Sequence, residues 1–342
     1  MKSKTLKIAL DGYGSFLGRA RGSFKVRDKE GHEKMYPLFE NEIAEIRVKS
    51  GNTVSAGALA TCGFWGIDCL ILTRWGNPIA IVKSLCDDSH VETRLGQYEA
   101  LRSGKGLEIA KQIVLAKFQG QNELVKKYGL KPLDVFGYSQ NVKALEGDLK
   151  LVRNRLMSYE GKFSEQYFRR ILELFSEEFR PKRRKTYKAF DGLNNVFNLA
   201  YSVLTWKVQI ALLKAKLEPY LGFLHHVQFG MPSLICDFEE LYRFLIDDFV
   251  IRYCRNVKNR DFVLKTDDYA GKKGKRQYLN DAKRRDFLAT LEKYFESRVS
   301  IPRVKRGQKQ EIETLINEEA FLFARYLRDE KPTWNPRIVA LS

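Results

Sequence analysis

The sequence has 342 residues, of which 44% are hydrophobic and 30% charged, as in an ordinary folded protein. This length predicts about two domains, each large enough to bury a core. Sixty Lys and Arg residues against 42 Asp and Glu give a formal charge of +18, which attracts polyanions, nucleic acid first among them. The alternative is a basic surface without a nucleic-acid partner, because charge alone supplies attraction and no chemistry.

The composition disfavours several other classes of protein. No apolar run approaches the ~18 residues of a membrane span, so no membrane partner is expected. Met1 to Leu10 alternate polar and apolar residues like a strand, without the continuous apolar stretch of a signal peptide, and a cytoplasmic location is predicted. The five cysteines contain no CxxC pair, which predicts buried free thiols rather than a zinc site or a disulfide framework.

Apolar and polar residues alternate over the first part of the chain, and turns rich in Gly, Asn and Asp separate the runs. This pattern predicts a β-rich domain over residues 1–83. Within it, Val54 to Trp65 has the spacing of a short helix, and Cys69 to Leu72 that of the strand after it. Residues 84–92 are the predicted interdomain linker.

The apolar period changes to 3.6 residues after about residue 90. Seven segments have helical spacing: 104–127, 141–158, 161–177, 192–216, 237–255, 277–297 and 311–328. They predict an α-helical domain over residues 93–330, interrupted by a basic hairpin or loop at Asp261 to Leu279. Residues 331–342 contain two prolines and follow the last helical segment, which predicts a tail that is disordered when unbound. The predicted fold class is therefore α+β with two domains, the strands first.

Three segments of the helical domain carry acidic or histidine side chains that could share a site. His225 and His226 end an apolar segment, and two adjacent histidines cannot lie on one helical face. Asp237 and Glu240 are three residues apart and share a face of the following helix. Glu160 lies beside a glycine within an apolar helical pattern.

Each of these segments also has an interpretation without function. A histidine is more often a hydrogen-bonded core or surface residue, acids at a helix start are stabilised by the helix dipole, and Glu160 could equally be an exposed cap residue. Together, a Glu, a His and a second acid suit a hard divalent cation, Mg²⁺ or Mn²⁺. Such an ion polarises a phosphoryl oxygen and activates an attacking hydroxyl. A phosphodiester substrate also explains the basic charge.

The order of several short blocks is more specific than any one of them. They are Gly14–Gly18, Gly51–Ser55, Gly66–Asp68, Glu160-Gly161 with Tyr167, Asp191 with Asn194 and Tyr201, Gly222–His225, and Asp237 with Glu240 and Arg243. From Thr5 to Asp329 the chain resembles the CRISPR-associated endonuclease and integrase family, the larger of the two universal spacer-acquisition subunits. The Gly-Phe-Leu-His block, followed fifteen residues later by the second acid, is the most specific part of the resemblance.

The resemblance implies which residues carry the chemistry. The metal ligands fall on Glu160, His225 and Glu240. Asp237 matches a second acid close to the site, for which a supporting role is expected, and Tyr167 matches an aromatic residue near the site.

The chain departs from the family pattern at a few positions. Phe163 and Ser164 stand where small alanines are usual, Gly192 where a proline is usual, and Asn195 where an apolar residue is usual. These departures change the packing near the site and leave every proposed ligand in place. His226 has no counterpart in the family, and a structural or DNA-facing role is expected for it.

The resemblance also implies an N-terminal β-sandwich-like domain, through which homodimers form, followed by a helical catalytic domain. The implied partners are DNA, as spacer fragment and CRISPR repeat, and the small ferredoxin-like adaptation subunit, which bridges two dimers. The implied reaction is a transesterification, in which the 3′-hydroxyl of a spacer fragment attacks a phosphodiester at the repeat. DNA cleavage would use the same site.

Basic clusters flanking the site are predicted to hold DNA by its phosphates. They comprise Lys182, Arg183, Arg184, Lys185, Lys272, Lys273, Lys275, Arg276, Arg303, Lys305 and Arg306. Each cluster could instead be a solvated face, as charge runs often are. Two other functions stay open: a basic scaffold that binds DNA but no metal, and a structure-specific nuclease of DNA repair. The intact ligand set disfavours the first, whereas the second shares the metal site and differs in partner and substrate.

Overall fold

A computed structural model of the chain describes residues 5–39, 42–74, 76, 78–84, 91–187, 189–269, 272–300 and 309–341. The chain divides into two compact units, Met1–Ser89 and His90–Ser342. Strands dominate the first unit and helices the second, so the predicted α+β class with the strands first is confirmed. The predicted linker, residues 84–92, lies mostly outside the described residues.

The first unit contains eight strands and one helix within its described residues. In chain order they are β1 (Thr5–Leu10), β2 (Phe16–Ala20), β3 (Ser23–Arg27), β4 (Glu33–Pro37), β5 (Glu42–Lys49), β6 (Thr53–Val54), α1 (Ala56–Trp65), β7 (Asp68–Leu72) and β8 (Pro78–Val82). The strands form two four-stranded sheets with the orders β1-β5-β7-β8 and β4-β3-β2-β6. The helix and strand predicted at Val54 to Trp65 and Cys69 to Leu72 are therefore present.

One apolar core serves both sheets and α1. Ile8 and Ile46 come from one sheet, Phe24 from the other, and Cys62 from the helix. Ser55 begins α1 by accepting a hydrogen bond from the Ala58 N–H, a common N-cap. Cys62 and Cys69 are buried free thiols, as predicted, whereas Cys236 and Cys254 of the second unit are free but only partly buried; Cys86 lies outside the described residues.

The second unit is mainly helical. In chain order its elements are α2 (Val91–Arg102), α3 (Gly104–Lys127), α4 (Val135–Lys143), α5 (Leu149–Ile171), α6 (Gly192–Lys214), α7 (Ser233–Glu239), α8 (Arg243–Cys254), β9 (Phe262–Tyr269), β10 (Lys272–Leu279), α9 (Asp281–Phe295), β11 (Arg298–Val299), β12 (Gln310–Glu311) and α10 (Ile312–Leu327). The basic segment predicted as a hairpin or loop is the antiparallel hairpin β9–β10.

Two predicted helix boundaries are wrong. The segments 141–158 and 161–177 are not separate helices, because α5 runs without a break from Leu149 to Ile171. A glycine within a helix costs only about 1 kcal/mol, and the buried face of α5 continues on both sides of Gly161. Conversely, the single helix predicted over 237–255 is divided at Glu240 into α7 and α8.

Gly161 offers a test of this continuous helix. A Cβ at Gly161 would have no heavy atom within 4 Å, so Gly161→Ala should raise the free energy of unfolding by about 0.5–1 kcal/mol. Thermal unfolding measures the change. Gly120→Ala in α3 is the matched control and should destabilise the protein, because there a Cβ would lie 2.4 Å from the Phe244 ring. A loss of stability in both variants would contradict the described surroundings of Gly161.

Helix α6 lies in the core of the second unit. It packs against α7, α8, α10 and β10, and Asp191 caps its start by accepting the Asn194 N–H at 2.8 Å. By length and composition α6 could cross a membrane, but 56% of its most apolar window is buried inside the protein. A core helix of this kind has the same composition as a membrane span.

Residues 331–341, the described part of the C-terminal segment, are ordered, contrary to the disordered tail predicted for residues 331–342. Trp334 is buried, with its ring centroid 4.5 Å from that of Phe323. Its Nε1–H donates to the Oε1 of Glu319 at 2.8 Å, and Val339 is also buried. Two apolar anchors and a buried hydrogen bond hold a segment whose composition alone predicts disorder.

Candidate active site

The two predicted acid ligands point at the same cation. Glu160 lies in the middle of α5, where its Oε1 contacts the ammonium of Lys117 from α3. The same Nζ atom is 2.5 Å from the Oε2 of Glu240. Ser164, one helical turn after Glu160, donates its hydroxyl to Glu160 Oε1 at 2.9 Å. Glu160 is therefore not a helix cap, and the two acids converge on one position between α3, α5 and α7.

Glu240 follows the last residue of α7 and is almost fully buried. Its Oε1 lies 2.8 Å from Nη1 of Arg243, whose Nη2 pairs with Glu239 at 3.1 Å. Burial acts to raise the pKa of Glu240, but attraction to Arg243 and Lys117 outweighs it and lowers the pKa to about 2. Glu240 is therefore a carboxylate at neutral pH.

Lys117 is a buried lysine that keeps its charge. Its side chain lies within the apolar face of α3 and is 7% exposed. Burial acts to lower the pKa of Lys117, but attraction to Glu240 and Glu160 reverses the effect and raises it. The ammonium thus balances part of the negative charge of the acid pair.

Asp237 anchors the loop that carries His225. Its fully buried carboxylate accepts three backbone N–H groups, from Phe223 at 2.5 Å, Leu224 at 3.0 Å and His225 at 2.9 Å. The His225 ring is bound to the same carboxylate through Nδ1 at 2.8 Å. This bond fixes the ring and leaves Nε2 as the nitrogen that can bind a metal ion. Burial acts to lower the pKa of His225, but Asp237 outweighs it and raises the pKa.

The neighbouring histidine has a different environment. His226 is exposed, and its ring contacts Arg153 at 3.2 Å and Asn154 at 3.4 Å, both from α5. Arg153 also donates its Nε–H to the Phe223 carbonyl at 3.1 Å. Helix α5 therefore holds the histidine loop as well as Glu160, and the two histidines diverge as their adjacency predicts.

Tyr167 belongs to a buried network that adjoins Arg243, the partner of Glu240. Its hydroxyl donates to Asp247 at 2.6 Å inside the core, and Tyr201 donates to the other oxygen of Asp247 at 2.5 Å. Burial raises the pKa of Asp247 to about 6. The Tyr201 ring lies between the guanidinium groups of Arg184 and Arg243, 5.1 Å from each. This network connects Tyr167 through Asp247, Tyr201 and Arg243 to Glu240, and the expectation of an aromatic residue near the site stays a prediction.

The predicted DNA-binding residues fall into three groups: exposed residues, residues outside the described part of the structure, and two arginines that the fold already uses. Lys182, Arg183, Lys185 and Lys275 are exposed and available to phosphates. Arg303, Lys305 and Arg306, and the side chains of Lys272 and Lys273, lie outside the described part of the structure.

Arg184 and Arg276 differ from the other basic residues because the fold already uses their guanidinium groups. Arg184 donates to Asn194 at 3.1 Å and to Asn198 at 2.6 Å. Arg276 is buried and donates to Asn195 at 2.7 Å. Neither guanidinium group is freely solvated, so both arginines stabilise the fold next to the exposed basic residues.

The departures from the family pattern have local reasons. Phe163 packs on the Phe118 ring with centroids 4.1 Å apart. A Cβ at Gly192 would lie 2.5 Å from the ring of Phe262, so glycine allows β9 to approach the start of α6. Asn195 donates to the Gln277 carbonyl at 2.9 Å. Two of the departures thus attach the β9–β10 hairpin to α6.

A second cluster of possible ligands lies in the first unit. Among the described residues, Asp28, Glu30 and His32 have ligand atoms all within 4.8 Å of one another; the atoms of the predicted triad are spaced more widely. Asp28 and His32 close the β3–β4 turn, the N–H of His32 donating to Asp28 at 2.8 Å. That hydrogen bond explains the exposed cluster without a metal ion. In the second unit, by contrast, the buried Glu240, the partly buried Glu160 and an oriented imidazole have the chemistry of a site for a hard divalent cation.

Sequence reasoning missed Lys117, the cation between the two acids. A signal was present, because its helical neighbours Ile113, Val114, Gly120 and Leu124 are apolar or small. A lysine in the middle of such a face needs a buried anion as its partner.

Comparison with known proteins identifies the family of this chain. The family model described as "CRISPR associated protein Cas1" matches residues 8–293. The chain belongs to the Cas1 family. A CRISPR-associated endonuclease Cas1 of Thermus thermophilus is 26% identical over 324 residues, which cover 94% of both chains.

Solved structures show the same fold over nearly the whole Cas1 chain. A casposase bound to integration product has a TM-score of 0.72 at 19% identity, covering 97% of this chain and 92% of that one. A chain of a partial Cas6-RT-Cas1–Cas2 complex has a TM-score of 0.70 at 16% identity, covering 99% and 100%. At such low sequence identity, these solved structures show that the fold is shared.

Proposed function

We propose that Glu160, His225 and Glu240 hold a divalent metal ion, Mg²⁺ or Mn²⁺, for DNA cleavage and strand joining in CRISPR adaptation. Membership of the Cas1 family makes the chain a CRISPR-associated nuclease and integrase. What we propose beyond the family is which residues bind the ion and that the ion is Mg²⁺ or Mn²⁺. The proposal rests on one observation above all: a buried carboxylate, Glu240, and a partly buried one, Glu160, converge from different elements on a single cation position.

Each side chain has a distinct part in this chemistry. A bound ion would polarise the phosphoryl oxygen and lower the pKa of the attacking hydroxyl. Glu160 and Glu240 supply oxygen ligands, and His225 supplies Nε2, because Asp237 occupies the other ring nitrogen. Arg243 holds Glu240 ionised and oriented. These residues position the 3′-hydroxyl of a spacer fragment against a phosphodiester of the CRISPR repeat.

The partners follow from the family and the surface charge. Exposed Lys182, Arg183, Lys185 and Lys275 are suited to bind DNA phosphates, which position the duplex without reading its sequence. Assembly with the small ferredoxin-like adaptation subunit is supported by the structural neighbour in a Cas1–Cas2 complex. We also infer that the two sheets of the first unit form a sandwich-like domain that makes the homodimer, and that the protein acts in the cytoplasm.

The experiment is strand joining by Glu160→Gln, with supercoiled DNA, a short duplex carrying a 3′-hydroxyl, the small subunit and Mn²⁺ or Mg²⁺. Glutamine keeps one oxygen donor but loses the charge, and we expect joining to fall about tenfold or more. Glu165→Gln, an exposed glutamate on the same helix, is the matched control and should join normally. If Glu160→Gln joins as well as the control, the proposed ligand set is wrong and a metal-free DNA scaffold gains support.

A further inference from the structure

The feature that the metal proposal leaves unexplained is the place of Lys117. Its ammonium contacts both acids that are proposed to bind the metal, and its side chain is 7% exposed. An isolated buried charge is unfavourable, so the two carboxylates are what keep this lysine charged inside the fold. The acids are in turn held at a common position by the ammonium.

We propose that Lys117 is a resident counter-cation of the acid pair, which the divalent ion displaces when it binds. The inference rests on the proposed function, since it assumes that Glu160 and Glu240 are metal ligands. In the metal-free protein, Lys117 orients both carboxylates towards one point. Lys117 is therefore a positioning residue that preforms the site and limits its affinity for metal.

The argument for displacement is one of charge and space. The ammonium is already in contact with one oxygen of each carboxylate. A divalent ion bound to both acids would share that space with a like charge, and like charges at contact distance repel strongly where water is scarce. One ammonium offsets one of the two carboxylate charges, whereas a divalent ion offsets both. The ion therefore displaces the ammonium from the two carboxylates once it is present at sufficient concentration.

The lysine side chain is suited to leaving this position. Its ammonium is a point charge on a flexible four-carbon chain, and its ion pairs within the described residues are with the two acids alone, whereas Arg243 is also held by Glu239 and Tyr201. Arg243 thus stays beside Glu240 while the lysine moves. The neighbouring Ser164 keeps its hydrogen bond to Glu160, so one acid remains oriented during the exchange.

The first test is Mn²⁺ binding to the full chain without DNA, measured by calorimetry for the wild type and Lys117→Met. The variant removes the competing charge, so it should bind Mn²⁺ about tenfold or more tightly than the wild type. Lys126→Met, an exposed lysine on the same helix, is the matched control and should bind like the wild type. Equal or weaker binding by Lys117→Met overturns the proposal.

A second test uses only the wild-type protein, so its result does not depend on how well Lys117→Met folds. Lysine acetylation by a small reagent is quantified by mass spectrometry with and without Mn²⁺. Displacement should increase modification of Lys117 in Mn²⁺ and leave Lys126 unchanged. Unchanged modification of Lys117 in a protein that binds Mn²⁺ overturns the displacement, whereas a wild type that binds no Mn²⁺ overturns the proposed metal site itself.

Discussion

His225→Ala is expected to lower strand joining by more than about 100-fold, the upper range for losing a residue that only supports a metal ligand. The reason lies in the orientation of the ring. Asp237 binds Nδ1 at 2.8 Å and three backbone N–H groups of the same loop, so Nε2 is the nitrogen left for the ion. Alanine leaves the loop anchored and removes the donor atom. The assay is strand joining with Mn²⁺ or Mg²⁺ and the small subunit.

His226→Ala is the matched control for this variant. His226 lies next in the chain but is exposed and contacts Arg153 and Asn154. Because His226 is not one of the proposed ligands and surface substitutions change stability by only about 0.5 kcal/mol or less, joining should stay within about twofold of wild type. DNA binding and thermal unfolding are measured for both variants. Equal joining by His225→Ala and His226→Ala would remove His225 from the site.

Asp237→Ala should have the largest effect on stability. It leaves three N–H groups without their acceptor in the core, each at a cost of about 1–3 kcal/mol. The free energy of unfolding should therefore fall by about 3 kcal/mol or more. At about 2–4 °C per kcal/mol, the unfolding temperature should fall by about 6 °C or more. Thermal unfolding without added metal separates this effect from metal binding.

Asp134→Ala is a suitable comparison for Asp237→Ala. Asp134 caps α4 by accepting one N–H, from Gly137 at 2.8 Å, on the exposed surface. Losing such a cap costs about 1 kcal/mol. If the two variants unfold at the same temperature, the carboxylate of Asp237 does not hold the histidine loop as described.

The sequence predicted the long helices best where apolar spacing and flanking residues agree. Helix α3 has the predicted bounds, residues 104–127. Helix α5 was divided wrongly because Gly161 suggests a boundary locally, while the burial that keeps the helix continuous comes from other elements. The division between α7 and α8 at Glu240 has the same origin, since Lys117 contacts that residue from a distant part of the chain.

The candidate site was predictable in part, and the missing parts are those made by tertiary contacts. Glu160 and Tyr167 lie on the same face of α5, so helical periodicity cannot separate a site residue from a core residue. The structure separates them by their partners: Lys117 for the first, and Asp247, 80 residues away in the chain, for the second. A lysine within an apolar helix face shows that it needs a buried anionic partner, but not which residue provides that partner.

Helix α5 also limits how the length of this protein can change. Arg153, Glu160 and Tyr167 follow one another at intervals of seven residues, so one face of one rigid helix serves the histidine loop, the acid pair and the tyrosine network. Inserting one residue between any two of them would rotate the later ones by about 100° around the helix axis. Insertions and deletions in this stretch would therefore disconnect the three regions, while substitutions on its exposed face, such as at Leu151, leave them aligned.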